Sequence, residues 1–333
     1  MKSSDDSIRK SVPQRLKRHD LVMGILYKFS DLYESSAAQS IWDIAFPIDE
    51  LRKHLKMRFG VEYTSNQWVY TQLRRYEDEI GAKLFERSEM EHANRFNLKL
   101  HPNMIEFVQK QHLYVPQKIK LANGIYDKIQ SAVQHQSIAR VCLGAGSTMY
   151  HLAQIFLDRQ DQLIPTFQLY THNAGILPLL YSQQVNYQKL EIFSASGKLD
   201  PITRTLIGDP QHIFPTREFD FIIQGTSRIH DGNLYIESDT EQVIKAELLH
   251  QHTGCKILVL TKHEFQDEPL KNATSYGKIT DYDYVVVPRS IGNENKKLYD
   301  FRFEQYLDLF EPEIMNWNYS ILKVINPTGR VTE

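Results

Sequence analysis

Six short apolar runs punctuate the second half of the chain: Ile138–Leu143, Phe167–Tyr170, Leu190–Phe193, Phe219–Ile223, Lys256–Leu260 and Tyr284–Val287. Helical patterns lie between several of them, notably Met149–Leu157 and Thr240–Gln251. Strands that alternate with helices imply βα units and a mostly parallel sheet. Residues 136–290 are therefore expected to form an α/β domain. The chain has 333 residues, and at about 150 residues per domain there is room for a second one.

The first half carries a different period. Leu21, Val22, Ile25, Leu26, Phe29, Leu32 and Tyr33 lie on one face of an amphipathic helix over about residues 19–35. Ile48, Leu51 and Leu55 keep helical spacing in a shorter helix that starts at Pro47 and stops at Gly60. Thr64 or Ser65 caps a third helix running to Ile80, with Gly81 as its stop. Ala82–Arg87 and Arg95–Leu100 then read as a strand pair around Ser88–Asn94. Helix, helix, helix, hairpin is the order of a winged helix-turn-helix, expected over residues 19–100.

On a helical wheel Val69, Leu73, Tyr76 and Ile80 face the core. Gln67, Tyr70, Thr71, Arg74 and Asp78 face away, with Arg75 at the edge. Such side chains can bond base edges and phosphates. The candidate DNA-binding residues are Ser65, Gln67, Tyr70, Thr71, Arg74, Arg75, Arg87 and Arg95. The ordinary alternative is a solvated helix face. Glu89 and Glu91 at the hairpin tip would repel phosphate, whereas Arg87 and Arg95 flank it. Residues 1–18, with Arg9, Lys10, Arg15, Lys17 and Arg18, read as a basic flexible arm.

Charge follows the same division. Residues 1–135 carry 21 Lys and Arg against 17 Asp and Glu, and residues 136–333 carry 18 against 24, for a net charge of -2. This excludes a uniformly basic coat but not a localised basic domain. The two cysteines, Cys142 and Cys255, make neither a zinc ribbon nor a disulfide scaffold. A reducing, cytoplasmic setting is expected, with no signal peptide, membrane span, metal or cofactor. Residues 101–135 read as a helical linker, and residues 291–333 as an extension without an assigned role.

The sharpest local motif is Val141-Cys142-Leu143-Gly144-Ala145-Gly146-Ser147-Thr148. A strand enters a Gly-x-Gly-Ser-Thr turn and leaves as a helix. The turn's N–H groups, the hydroxyls and the helix N-terminus suit an anion, phosphate above all. No Lys follows Gly146, so this is not a P-loop, and Met149 replaces the third glycine of a dinucleotide fingerprint. Tyr170-Thr171-His172-Asn173 and Gly225-Thr226-Ser227-Arg228 end other strands and should converge on the turn. Asp239 with Gln242 reads as a capping box. Glu241 and Lys245 are an i,i+4 pair whose ordinary place is the surface.

These pieces, in order, carry a resemblance. They are Gly146-Ser147-Thr148, Thr171…Asn173, Thr205-Leu206-Ile207-Gly208, Phe219-Asp220 leading to Gly225, and Glu241…Lys245. Ile257–Leu260 with Thr261-Lys262-His263-Glu264-Phe265, and Ile279-Thr280-Asp281-Tyr282-Asp283, complete the set. Ile138 to Pro288 resembles the C-terminal sensor domain of DeoR-family transcriptional repressors, whose fold is that of ribose-5-phosphate isomerase A. The resemblance implies a preceding winged helix, operator DNA as partner, and a phosphorylated sugar or related metabolite as effector. It implies effector contacts at Gly144, Gly146, Ser147, Thr148, Asn173, Gly208, Gly225, Ser227, Glu241 and Lys245. Gly144 stands where the family has Asp, which makes the turn more like that of the isomerase. Thr226-Ser227-Arg228 lacks the isomerase's acidic pair, which argues against catalysis.

The sequence thus points to a cytoplasmic, metabolite-responsive DNA-binding regulator, expected as a homodimer or higher homo-oligomer. A sugar-phosphate isomerase with a fused helical domain is the rival. A sensor whose first domain binds protein is a third reading.

Overall fold

The computed structural model describes residues 15–89, 96–102, 104, 106–182, 184–289 and 296–325. The chain divides into two compact units, Met1–Met104 and Ile105–Glu333. Residues 1–14, most of the basic arm, lie outside the described residues, as do residues 90–95 of the hairpin, including Glu91 and Arg95.

The first unit runs α1 (Arg18–Ser35), β1 (Ala45–Pro47), α2 (Ile48–Phe59), α3 (Asn66–Ile80), β2 (Phe85–Glu89) and β3 (Phe96–Leu100). Ser65 caps α3, its Oγ accepting from the Trp68 N–H at 3.1 Å. Gly60 and Gly81 end α2 and α3 at φ of +67° and +70°, a region that disfavours side chains with a Cβ. β3 pairs antiparallel with both β1 and β2, so the sheet order is β1-β3-β2. β1, only three residues long, had no sequence expectation. Leu21, Ile25, Phe29, Leu51, Val69 and Leu73 fill the core. The Phe29 ring lies 4.6 Å from Phe46 and 6.2 Å from Phe85, joining helix to sheet.

The second strand begins three residues later than its apolar run, and Glu77 explains the delay. Its carboxylate is buried at the end of α3 and accepts from the N–H groups of Leu84 at 2.7 Å and Phe85 at 2.8 Å. Arg74 Nη1 donates to its other oxygen at 2.7 Å. The wheel placed Ile80 in the core, yet it is only half-buried. The buried position at this end of α3 is taken by Glu77 instead.

The second unit begins with the helices α4 (Phe107–Lys110) and α5 (Val115–Val133), then β4 (Ile138–Leu143), α6 (Ser147–Asp158), β5 (Thr166–Thr171), α7 (Leu177–Ser182) and β6 (Leu190–Ser194). A small hairpin, β7 (Lys198–Asp200) and β8 (Thr205–Ile207), leads to β9 (Glu218–Gln224), β10 (Arg228–His230), β11 (Asn233–Tyr235) and α8 (Asp239–His250). β12 (Thr253–Val259), β13 (Gly277–Lys278), β14 (Tyr284–Pro288), α9 (Leu298–Glu304), β15 (Phe310–Met315) and β16 (Tyr319–Val324) complete it.

All six apolar runs are strands of one eight-stranded sheet, ordered β15-β16-β14-β12-β9-β4-β5-β6. The pairs from β14 through β6 are parallel, and β16 and β15 add antiparallel. This is a mixed, mostly parallel α/β sheet, and the terminal extension supplies its last two strands. Val141, Leu143, Leu169, Phe221 and Ile223 face a core shared with Leu121, Ile125 and Ile129 of α5 and Leu152 and Phe156 of α6. The opposite face packs Cys142, Tyr170 and Ile222 against Ile244 and Leu248 of α8. The segment expected as a linker therefore contains α5, a layer of the second unit. No helix among the described residues is long and apolar enough to cross a membrane.

Glu77→Ala strips the acceptor from two backbone N–H groups and from Arg74 in the first unit. Breaking a buried charged network of this kind costs about 3 kcal/mol. Chemical denaturation of the full-length variant should show that loss.

Candidate functional site

β4 is the branch point of the sheet. From it the chain moves one way to β5 and β6, and β9, β12 and β14 follow on its other side. The helix after β4 covers one face and the helix after β9 covers the other. The two connections part and leave a crevice at the carboxyl ends of β4 and β9, where ligands of open α/β sheets sit. Gly144 stands on its floor, with its N–H donating to the Ile223 carbonyl at 2.8 Å. A Cβ there would come within 2.9 Å of the same oxygen.

The glycine turn delivers α6 with its N-terminus open. Gly146, at φ +119°, occupies the cap position, and no side chain caps the helix. The first N–H groups of α6, at Ser147 and Thr148, thus lack intrahelical acceptors and suit an anion. Asn173 is fully buried, and its Nδ2 donates to the Gly146 carbonyl at 3.0 Å. Thr171 Oγ1 donates to the Leu143 carbonyl at 2.8 Å. The end of β5 is thereby tied to the turn.

A cation completes this corner. Lys118 of α5 is 5% exposed, and its Nζ donates to Ser147 Oγ at 2.9 Å and to the Lys110 carbonyl at 2.5 Å. Burial lowers its pKa to about 7, against the pull of Glu264. Glu264 Oε1 accepts from Thr261 Oγ1 at 2.9 Å, and Oε2 is buried without a hydrogen-bond partner among the described residues. The His263 ring stacks on Tyr114, four residues before Lys118, at 3.7 Å between centroids. Sequence reasoning missed Lys118 because a helical lysine reads as solvated.

On the other side of the crevice Lys245 Nζ donates to the Gly225 carbonyl at 2.8 Å and lies 3.7 Å from Glu241 Oε1. The two side chains are 1% and 2% exposed, so the pair is interior rather than on the surface. Burial raises the Glu241 carboxyl to about 7, with Lys245 opposing, and burial lowers the Lys245 ammonium. Ser238, not Asp239, caps α8, its Oγ accepting from the Glu241 N–H at 3.3 Å. Ser227 Oγ bonds Glu237, which pairs with Lys110 at 2.9 Å. Ser227 is thus linked to the Lys118 corner through Lys110. Gly208 lies at the base of the β7–β8 hairpin, where a Cβ would meet the Ser196 carbonyl at 2.4 Å. That hairpin joins β5 through Leu206 N–H to the His172 carbonyl at 2.7 Å. Within the second unit, a cleft of about 300 Å³ is lined by residues including Phe107, Gln111, Tyr150, Gly175 and Arg204.

In the first unit the candidate reader residues differ in their freedom. Gln67 and Arg75 are exposed. Arg74 is half-buried and held by Glu77 and by Tyr70, whose hydroxyl accepts from Nε at 2.9 Å. The Tyr70 ring packs edge-on against Phe96 at 5.1 Å. Thr71 Oγ1 donates to the Gln67 carbonyl at 2.8 Å, and Ser65 serves as the cap. The Arg87 guanidinium lies over the Phe96 ring at 4.5 Å.

No family model matches the chain, and no curated protein matches it. Similar solved structures include ribose 5-phosphate isomerase from Plasmodium falciparum, 13% identical, with a TM-score of 0.29 over 63% of this chain and 78% of that one. Ribose 5-phosphate isomerase A from Methanocaldococcus jannaschii is 11% identical, with a TM-score of 0.27 over 64% and 81%. The eIF2B delta structure from Chaetomium thermophilum is 10% identical, with a TM-score of 0.33 over 74% and 82%. At this level of likeness any functional reading rests on the site itself.

Lys118 gives the anion corner a pH dependence. With a free-protein pKa of about 7, its ammonium deprotonates as pH rises through neutrality, and anion binding must then take up a proton. Sulfate keeps a constant charge over this range. Its affinity should fall above about pH 7, by up to tenfold per pH unit. Calorimetric titration should show that slope in the wild type and its loss in Lys118→Met.

Proposed function

We propose that the protein is a metabolite-responsive DNA-binding regulator, with a phosphorylated small molecule bound at the β4–β9 crevice. One observation carries the ligand reading: the uncapped start of α6 meets the buried Lys118 at Ser147. Open N–H groups, two hydroxyls and an ammonium in a crevice suit a phosphoryl group. Asn173 is tied to the glycine turn, and Lys245 with Glu241 is buried at Gly225. The phosphorylated sugar or related metabolite implied by the sequence resemblance fits this chemistry.

The DNA reading rests on the first unit. Its order of helix, strand, helix, helix and two strands, with β3 between β1 and β2, supports a winged-helix reading. In this reading Gln67 and Arg75 reach the major groove from α3. Arg87 approaches the backbone, and Arg74 is a positioning residue that holds Glu77. Coupling between the domains requires the ligand to favour one DNA-binding state energetically. A homodimer would place two such helices on paired half-sites.

Glu241 favours one second reading. A buried carboxyl titrating near neutrality beside a lysine suits a general acid or base, as a sugar-phosphate isomerase requires. Aldose–ketose interconversion abolished by Glu241→Gln would establish that enzyme.

Ser147→Ala with Thr148→Ala should remove phosphate binding, measured by calorimetry, and leave DNA binding intact. Unchanged phosphate affinity overturns the anion corner. Arg75→Ala should weaken binding to a genomic fragment selected by the wild type, by about 1–3 kcal/mol, with unaltered melting. Arg74→Ala should lower melting of the first unit as well as DNA binding. Intact DNA binding in Arg75→Ala would move the contact off α3.

A further inference from the structure

We propose that His172 is a ligand-reading residue whose imidazole donates to and accepts from hydroxyl groups on the carbon chain of the bound phosphoester. The proposal rests on the ligand reading above and extends it from the phosphoryl group to the rest of the compound.

His172 follows β5 at the carboxyl edge of the sheet, between two residues committed to the glycine turn. Thr171 bonds the Leu143 carbonyl and Asn173 bonds the Gly146 carbonyl. Alternation along an extended chain sends the intervening side chain to the opposite face. That face belongs to α8, and the charge of Lys245 acts on the ring there. The Lys245 ammonium donates to the Gly225 carbonyl at 2.8 Å, so the buried ring lies within reach of a buried ammonium that is tied to the end of β9.

The ring is 0% exposed, and neither Nδ1 nor Nε2 has a hydrogen-bond partner among the described residues. Its backbone is fixed by the bond from the Leu206 N–H. A neutral imidazole holds one donor and one acceptor. Buried polar groups are almost always bonded, and an orphaned one calls for a specific cause. A purely structural side chain here would be better served by Leu or Phe. A hydroxyl both donates and accepts, so adjacent hydroxyls of a polyol satisfy both nitrogens. The chemical class this selects is a polyhydroxylated phosphoester. Inorganic phosphate and an aryl phosphate lack the matching groups.

The test uses the full chain with three probes: inorganic phosphate, phenyl phosphate and a panel of pentose and hexose phosphates. Wild type should bind at least one sugar phosphate more than about tenfold tighter than inorganic phosphate, or about 1.4 kcal/mol. His172→Leu should erase that preference, keep the affinity for inorganic phosphate, and melt no lower than wild type without ligand. His172→Asn, which retains a donor and an acceptor, should restore part of the preference. The ¹⁵N shifts of the wild-type imidazole should move with a sugar phosphate and not with inorganic phosphate, a readout independent of any variant's folding. A preference that survives in His172→Leu, or ring shifts unmoved by a tightly bound sugar phosphate, overturns the proposal and leaves a ring that serves structure or a buried water. Sugar phosphates bound no tighter than phosphate overturn it too, while the anion corner stands. Failure of every phosphate probe instead removes the reading of the crevice itself.

Discussion

The two connections that leave the sheet on opposite faces, after β4 and after β9, set the geometry on which the candidate site depends. Between them the backbone of Gly144 closes onto the Ile223 carbonyl at 2.8 Å, so the strands stay paired up to the point where their continuations diverge. A side chain at Gly144 would press on that oxygen and force the strands apart. With the pairing kept, the open start of α6 and Gly225, just past β9, reach the same edge from two directions. Polar groups from β5, α5 and α8 then converge without any long loop having to carry them.

The convergence explains the number of ionisable groups held out of water here. Burying an ammonium or a carboxylate is costly unless it is paired and hydrogen-bonded. Lys118 answers that cost with Ser147 and a backbone carbonyl, and Lys245 with Gly225 and Glu241. Both lysines are displaced downward in pKa, and Glu241 upward, so burial works against full ionisation of the region. A bound anion would reverse part of that displacement by restoring the positive form of Lys118.

Much of the frame could be read in the residues, because local chemistry decides it. Gly60, Gly81 and Ser65 end and start helices through backbone freedom and capping, which require no distant partner. Each apolar run of the second half became a strand, the central ones because burial on two faces leaves little else for such a run. What escaped depends on contacts far along the chain. Strand β1 exists through its pairing with β3, some fifty residues on. Lys118 looks like any helical lysine until α5 packs against the sheet. Glu241 and Lys245 have the spacing of a surface pair, and only the placement of α8 at the strand ends buries them. Arg74 showed the reverse: a wheel put it outward, and the carboxylate of Glu77 drew it back.

The far edge of the large sheet has its own consequence. β15 is the last strand, with Glu311, Pro312 and Glu313 exposed along it. A proline offers no N–H, and the exposed Glu311 carboxylate repels a second edge of like charge, while Glu313 is held by Lys128 at 2.6 Å. A foreign strand therefore finds no continuous template there, and the sheet is protected against open-ended growth into fibres from that side. Two copies that associate through this face would have to bury side chains, not lengthen the sheet.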